Sequence, residues 1–180
     1  DTELSGLMVR RGEYTAAIAQ VEAALTELGW RRSTGLRRVV IVLRGALGEL
    51  LVLRQSPVDS ASFLGKYRCR MLGRRSGLLV MQSPVLAIEG ALEMLLMARK
   101  VGSFEDYHTT RAVAGHALVR MFGFVSLGQR ILSESMAQLD RMSELHQTIC
   151  RTCRVFVDIT QGKLTEAREE LPQLRRSADR

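Results

Sequence analysis

Apolar residues recur at helical spacing along most of the chain. The clearest segment runs from Gly12 to Gly29, where Ala17, Ile18, Val21, Ala24, Leu25 and Leu28 form one stripe. Gly12 precedes it as a turn, and Leu4, Leu7, Met8 and Arg11 give a preceding helix, Thr2 to Arg11, its own face. Two helices joined by a tight turn make an αα-hairpin. Ser83-Pro84 then opens a helix by cap chemistry, and Ala87, Ile88, Ala91, Leu92, Leu95 and Ala98 carry it to Gly102. A helix over Phe104 to Phe122 places Ala112, Gly115, Val119 and Phe122 on one side, and Gly123 breaks it. Leu127, Ile131, Leu132 and Leu139 continue on another. Leu145, Ile149, Val155, Phe156 and Ile159 mark a helix from about Ser143 to Thr160, which Gly162 ends. Leu164, Ala167 and Leu171 form a final short helix with Pro172 near its end.

Between Trp30 and Gln82 the pattern is less regular. Leu36 to Leu53 reads as a long helix whose stripe is Val39, Val40, Val42, Leu43, Leu47, Leu50 and Leu51. After a turn at Ser56-Pro57, Ala61 to Leu72 and Leu78 to Met81 read as two helical pieces. Arg74, Arg75, Ser76 and Gly77 separate them. No alternating run asks for a sheet, and aromatic residues make up only 5% of the chain. The expectation is an all-α chain of antiparallel helix pairs, stacked as an α-solenoid and forming one domain over residues 1–180. The turn glycines Gly123 and Gly162 lie 39 residues apart, a helix-pair repeat length.

Several residues resemble the tetratricopeptide repeat. Gly12, Tyr14, Ala17 and Ala24 match the turn glycine, the aromatic and the two small positions of its second half. Gly162, Leu164 and Ala167 match fewer of those positions, as do Gly123, Val125 and Gly128. The order of segments is also similar to the helical-repeat region that follows the ATPase module in bacterial class III adenylyl or guanylyl cyclases and some serine/threonine kinases. That order is a repeat ending at Leu28-Gly29, a basic linker, a long helix, and Ser83 to Ile88 opening a new repeat. The resemblance implies a scaffold for protein or peptide partners, other domains of the same polypeptide among them. No phosphate-binding G-x-x-x-x-G-K-[ST] loop occurs, so nucleotide chemistry would belong to other domains. The chain lacks a starting methionine and begins on a helical pattern, which reads as a piece of something longer.

Charge adds a second feature. The formal charge is +7, yet residues 31–75 hold eleven basic and only two acidic side chains, Glu49 and Asp59. Arg31, Arg32, Arg37 and Arg38 flank a helix start, and Arg68, Arg70, Arg74 and Arg75 crowd a second place. A docking surface for an acidic partner, a nucleic-acid or anionic-lipid surface, and a solvated basic face all fit this pattern. Few aromatic residues are interleaved for base stacking.

Catalytic chemistry finds little footing. Cys150-Arg151-Thr152-Cys153, with His146 one turn earlier, has ligand-like spacing, but no second C-x-x-C supplies a fourth ligand. Thiols packed in a core are the plainer reading. His108, His116 and His146 are far apart, and Ser133 and Ser135 sit in no nucleophile elbow. Glu105-Asp106 and Glu169-Glu170 read as solvated helix-end charges. Met94, Met97, Met121, Met136 and Met142 read as core filling. Three cysteines are too few for a disulfide framework, and no apolar run spans a bilayer, so a cytoplasmic setting is expected. No catalytic, metal or cofactor residue is assigned. A truncated helical array would also be free to self-associate.

Overall fold

The computed structural model describes residues 12–51, 56–80 and 82–178. The expected helix from Thr2 to Arg11 lies outside them. Every regular element among the described residues is helical. None of these helices is long and apolar enough to cross a membrane. Contacts divide the chain into two compact units, residues 1–103 and 104–180.

Unit 1 contains α1 (Tyr14–Glu27), α2 (Gly35–Gly45), α3 (Phe63–Leu79) and α4 (Pro84–Val101). Its centre is the α3/α4 hairpin, with α1 packed on α3 and α2 packed on α4. Small residues set the close approach of the hairpin. A Cβ on Gly65 would lie 3.2 Å from Val101, and one on Gly90 3.2 Å from Ser76. Ser76 Oγ also donates to the Ala87 carbonyl across the pair at 2.7 Å. Ala17, Ile18, Val21 and Leu25 of α1 are buried as one stripe and meet Met71, Leu72, Leu78 and Leu79. Tyr14 and Ala24 pack on the same core.

Two expectations are corrected here. Arg74 to Gly77 do not interrupt a helix, because α3 runs unbroken through them. Gly77 faces open space, and the apolar residues on either side are held by α1 and α4, so packing overrides a weak local propensity. The long helix from Leu36 is the second. Its α-helical part ends at Gly45, and Ala46–Leu51 form a π turn. Residues 52–55 lie outside the described residues. Of the expected stripe, Val39, Val40, Leu43 and Leu47 face outward, each more than half exposed, as is Leu36 at the helix start, while Leu50 is buried. The π turn inserts one residue, and its buried side is carried by Glu49 and Leu50.

Unit 2 contains α5 (Phe104–Phe122), α6 (Val125–Met136), α7 (Glu144–Thr160) and α8 (Leu164–Ala178), with a short 3₁₀ turn at Leu139–Arg141. The pairs α5/α6 and α7/α8 pack closely, and α7 also packs on α5 and α6. Gly123 and Gly162, at the turns of the two pairs, both adopt left-handed φ, near 69° and 75°. Gly115 of α5 and Gly128 of α6 meet backbone to backbone, and neither has room for a side chain. Arg111 of α5 pairs with Glu134 of α6, so the two run antiparallel. Glu105 and Asp106 face His146, while His116 faces Phe156, so α5 and α7 run in one direction.

Leu139 belongs to the 3₁₀ turn rather than to α6. Pro172 lies inside α8, not at its end. The carbonyl of Arg168, which loses its donor there, sits on an exposed residue and can be hydrated.

Candidate interaction surface

The eight arginines singled out by sequence do not form one surface. Arg31 and Arg32 are exposed on the segment between α1 and α2, and Arg70 is exposed on α3. The Arg37 side chain lies outside what is described. Arg38 reaches across to α4 and pairs with Glu89 at 2.6 Å. Arg68 is half-buried beside Gly29 and Trp30, where it lines a cavity of about 40 Å³, and Arg74 is half-buried.

Arg75 is a core residue. Its side chain is only 5% exposed, its Nε donates to Glu22 of α1 at 2.7 Å, and its guanidinium lies 5.0 Å from the Trp30 ring. Trp30 Nε1 in turn donates to Glu93 of α4 at 2.8 Å. The chain Glu22–Arg75–Trp30–Glu93 therefore ties α1, α3 and α4 together. Sequence spacing alone did not separate this arginine from its exposed neighbours. The signal was its place one turn from Leu72, Leu78 and Leu79, on the apolar side of α3.

Unit 1 carries a groove of about 770 Å³ between α2 and α4. Leu36, Val40 and Ile41 line it from α2, and Leu96 and Met97 from α4, with Arg44 and Lys100 among its charged lining. The groove continues the outward apolar face of α2. Ion pairs clamp its walls: Arg38 to Glu89 near one end, and Arg99 to Glu49 at 2.5 Å near the other. Between them a Cβ on Gly45 would lie 2.9 Å from Leu92, so the helices touch there. The matching order of these contacts shows that α2 and α4 run parallel.

In unit 2 the cysteine–histidine segment is interior. Cys150 and Cys153 are buried free thiols. Burial pushes the Cys150 thiol up to about 11, against a smaller opposing effect of the Thr109 hydrogen bond. Burial, and after it the neighbouring Cys150, pushes Cys153 up to about 12. Neither is a thiolate near neutral pH, and the thiolate is the form that reacts or binds metal. Among the described residues no group of three or more His, Cys, Asp or Glu is placed to hold a metal ion.

These thiols should stay unmodified by a maleimide at pH 8 in the folded protein and react fully once it is unfolded. Labelling of either in the native state would contradict the packing. Both folded pKa values lie above the ordinary value of 9.0, so folding favours the protonated thiols. Their contribution to stability is complete below pH 9 and declines as pH rises toward 11 and 12. Thermal melts between pH 8 and pH 11 measure that decline.

His146 joins α7 to α5. Its Nδ1 is 2.8 Å from Ser143 Oγ and 3.5 Å from Glu105, while Nε2 is 3.5 Å from Asp106. The Ser143 backbone N–H donates to Glu105 at 2.5 Å. The expectation that Glu105 and Asp106 are both solvated fails, because Asp106 is buried against this ring. The cluster caps the start of α7 with groups from α5, an interhelical version of a capping box. His108 is buried against the Phe104 and Tyr107 rings. His116 stacks on Phe156 at 5.6 Å, and burial, then Arg120, hold its pKa below the ordinary value. Compared with known proteins, the chain matches no family model, no curated protein and no solved structure.

Proposed function

We propose that this chain is a non-catalytic helical module that binds a protein or peptide partner, of the tetratricopeptide-like kind found in multidomain bacterial signalling proteins. The observation that carries the reading is the outward apolar face of α2. Leu36, Val39, Val40, Leu43 and Leu47 follow helical spacing and are all more than half exposed. Isolated exposed apolar residues are ordinary, but a contiguous stripe beside a groove is the usual mark of an interaction site. Antiparallel pairing of α5 with α6 and of α7 with α8, with α5 and α7 side by side and parallel, supports the repeat-like reading. So does the Gly115–Gly128 crossing.

The groove chemistry favours an amphipathic helix with acidic residues along one edge. Its apolar side would cover Leu36, Val40, Leu96 and Met97, and its carboxylates would meet the exposed Arg44 and Lys100. A nucleic-acid surface on residues 31–75 gains no comparable support, since Arg75 is buried and Arg38 is paired.

Selection of a random peptide display library on the whole chain tests the reading. The expected result is enrichment of sequences with apolar anchors at helical spacing and acidic flanks. Leu36→Glu/Val40→Glu should abolish their binding and leave the melting temperature nearly unchanged, because both side chains are exposed. Failure to enrich any family, or equal binding to the double variant, would overturn it.

A further inference from the structure

The α5/α6 and α7/α8 turns lie together at one end of unit 2. Gln129, just past the first turn, donates through Nε2 to Gln161 Oε1 in the second at 2.6 Å. Arg120 reaches toward the same place, its guanidinium 6.0 Å from the Phe156 ring. A Cβ added to Gly123 or to Gly162 would meet nothing within 4 Å, so both turns stand clear of other segments.

What these turns present is apolar. Met121, Phe122, Phe124 and Val125 around the first are between 41% and 57% exposed, and Ile159 and Leu164 around the second are 48% and 64% exposed. The Phe122 and Phe124 rings stack on each other, with centroids 6.3 Å apart. Single exposed apolar residues are ordinary, whereas six at one end form a patch that marks an interaction site. The charge around them has one sign. Residues 112–133 carry Arg120 and Arg130 and no acid, and residues 159–165 carry Lys163 and no acid. Asp158, just before the second turn, is buried and paired with Arg154 at 2.9 Å, and the first exposed acid after it is Glu166. Glu105, Glu134, Asp140 and Glu144 belong to the opposite end, at the start of α5, the end of α6, the 3₁₀ turn and the start of α7.

We propose that this end of unit 2 docks on an anionic lipid bilayer. The aromatic and aliphatic side chains would enter the interfacial layer, and Arg120 and Lys163 would meet acidic headgroups. A bilayer accepts an apolar tip with a cationic collar. Long basic side chains suit the collar, because the stem lies on apolar surface while the charge stays among the headgroups. A peptide partner is held in a groove, and these side chains crown two open turns instead. Two copies of the chain meeting face to face here would set Arg120 and Lys163 against their own counterparts, with no acid between them.

Co-flotation of the full chain with lipid vesicles tests the proposal. The expected result is binding to vesicles of phosphatidylcholine and phosphatidylglycerol in equal parts, about tenfold weaker to phosphatidylcholine alone and reduced by salt. Phe122→Ser/Phe124→Ser should weaken binding to the mixed vesicles by about tenfold. Arg120→Gln/Lys163→Gln should remove most of the preference for phosphatidylglycerol. Both rings are at least half exposed, so the serine variant should melt as the parent does; if it does not, Leu164→Ser carries the same comparison. The apolar variants separate docking at this end from a general attraction of a chain of charge +7 to anionic surfaces. Undiminished binding by them, no binding to the mixed vesicles at low salt, or equal binding to phosphatidylcholine alone would overturn the proposal. So would a dimer, abolished by the same variants, that forms in place of vesicle binding.

Discussion

Replacing Gly128 by alanine is expected to destabilise unit 2 by about 3 kcal/mol, the upper end of the range for forcing an atom into a filled interior. The added Cβ would lie 2.5 Å from the Gly115 carbonyl oxygen and 2.6 Å from Val119 Cγ2. A backbone carbonyl cannot step aside as a flexible side chain can, so relief requires α5 and α6 to move apart. That would loosen Ile131, Leu132 and Ala112, all fully buried. For a unit of this size the loss corresponds to a fall of more than about 10 °C in melting temperature. The companion substitution Gly77→Ala should move the other way, raising stability by about 0.5–1 kcal/mol. Gly77 sits inside α3 with nothing within 4 Å of its added Cβ. Thermal melts followed by circular dichroism decide both. Equal, small effects at the two positions would show that the α5/α6 crossing is looser than described.

Arg75→Ala should cost about 3 kcal/mol, the scale for removing one partner of a buried ion pair. Its loss strands the Glu22 carboxylate, which is itself largely covered, and empties the space beside Trp30. Replacing both members, as in Glu22→Leu/Arg75→Met, should recover most of that stability, because two apolar side chains of similar size satisfy each other. Chemical denaturation of the two single variants and the double variant measures the coupling. Additive losses would mean that Glu22 and Arg75 act independently. The pair should also resist screening in high salt, since the Arg75 side chain is 5% exposed.

Helix positions were largely legible in the sequence because glycine and proline punctuate it. Pro84 opens α4, and Gly102, Gly123 and Gly162 take left-handed φ where the helices end. The cap chemistry was less accurate than the boundary: Ser83 precedes α4 but makes no side-chain capping bond. Where reading failed, the reason was tertiary. Arg75 and Gly77 look like a loop one residue at a time, yet α3 is fixed by neighbours on both sides. The exposure of the α2 stripe is not legible in the sequence, because periodicity reports that a helix has an apolar face, not what covers it. Context favours an interior place for the thiols of Cys150 and Cys153, and both are buried. The His146 cluster assembles side chains from helices distant in sequence, and spacing along the chain carries no trace of it.

The widened turn at Ala46–Leu51 has a consequence for the two faces this segment presents. A π turn closes its hydrogen bonds one residue later than an α turn, so each residue within it advances less around the axis. The apolar residues before the turn and the carboxylate of Glu49 within it are thus wound with different pitch. One segment can therefore show an oily side to water along α2 and, a turn later, hold a buried carboxylate against α4.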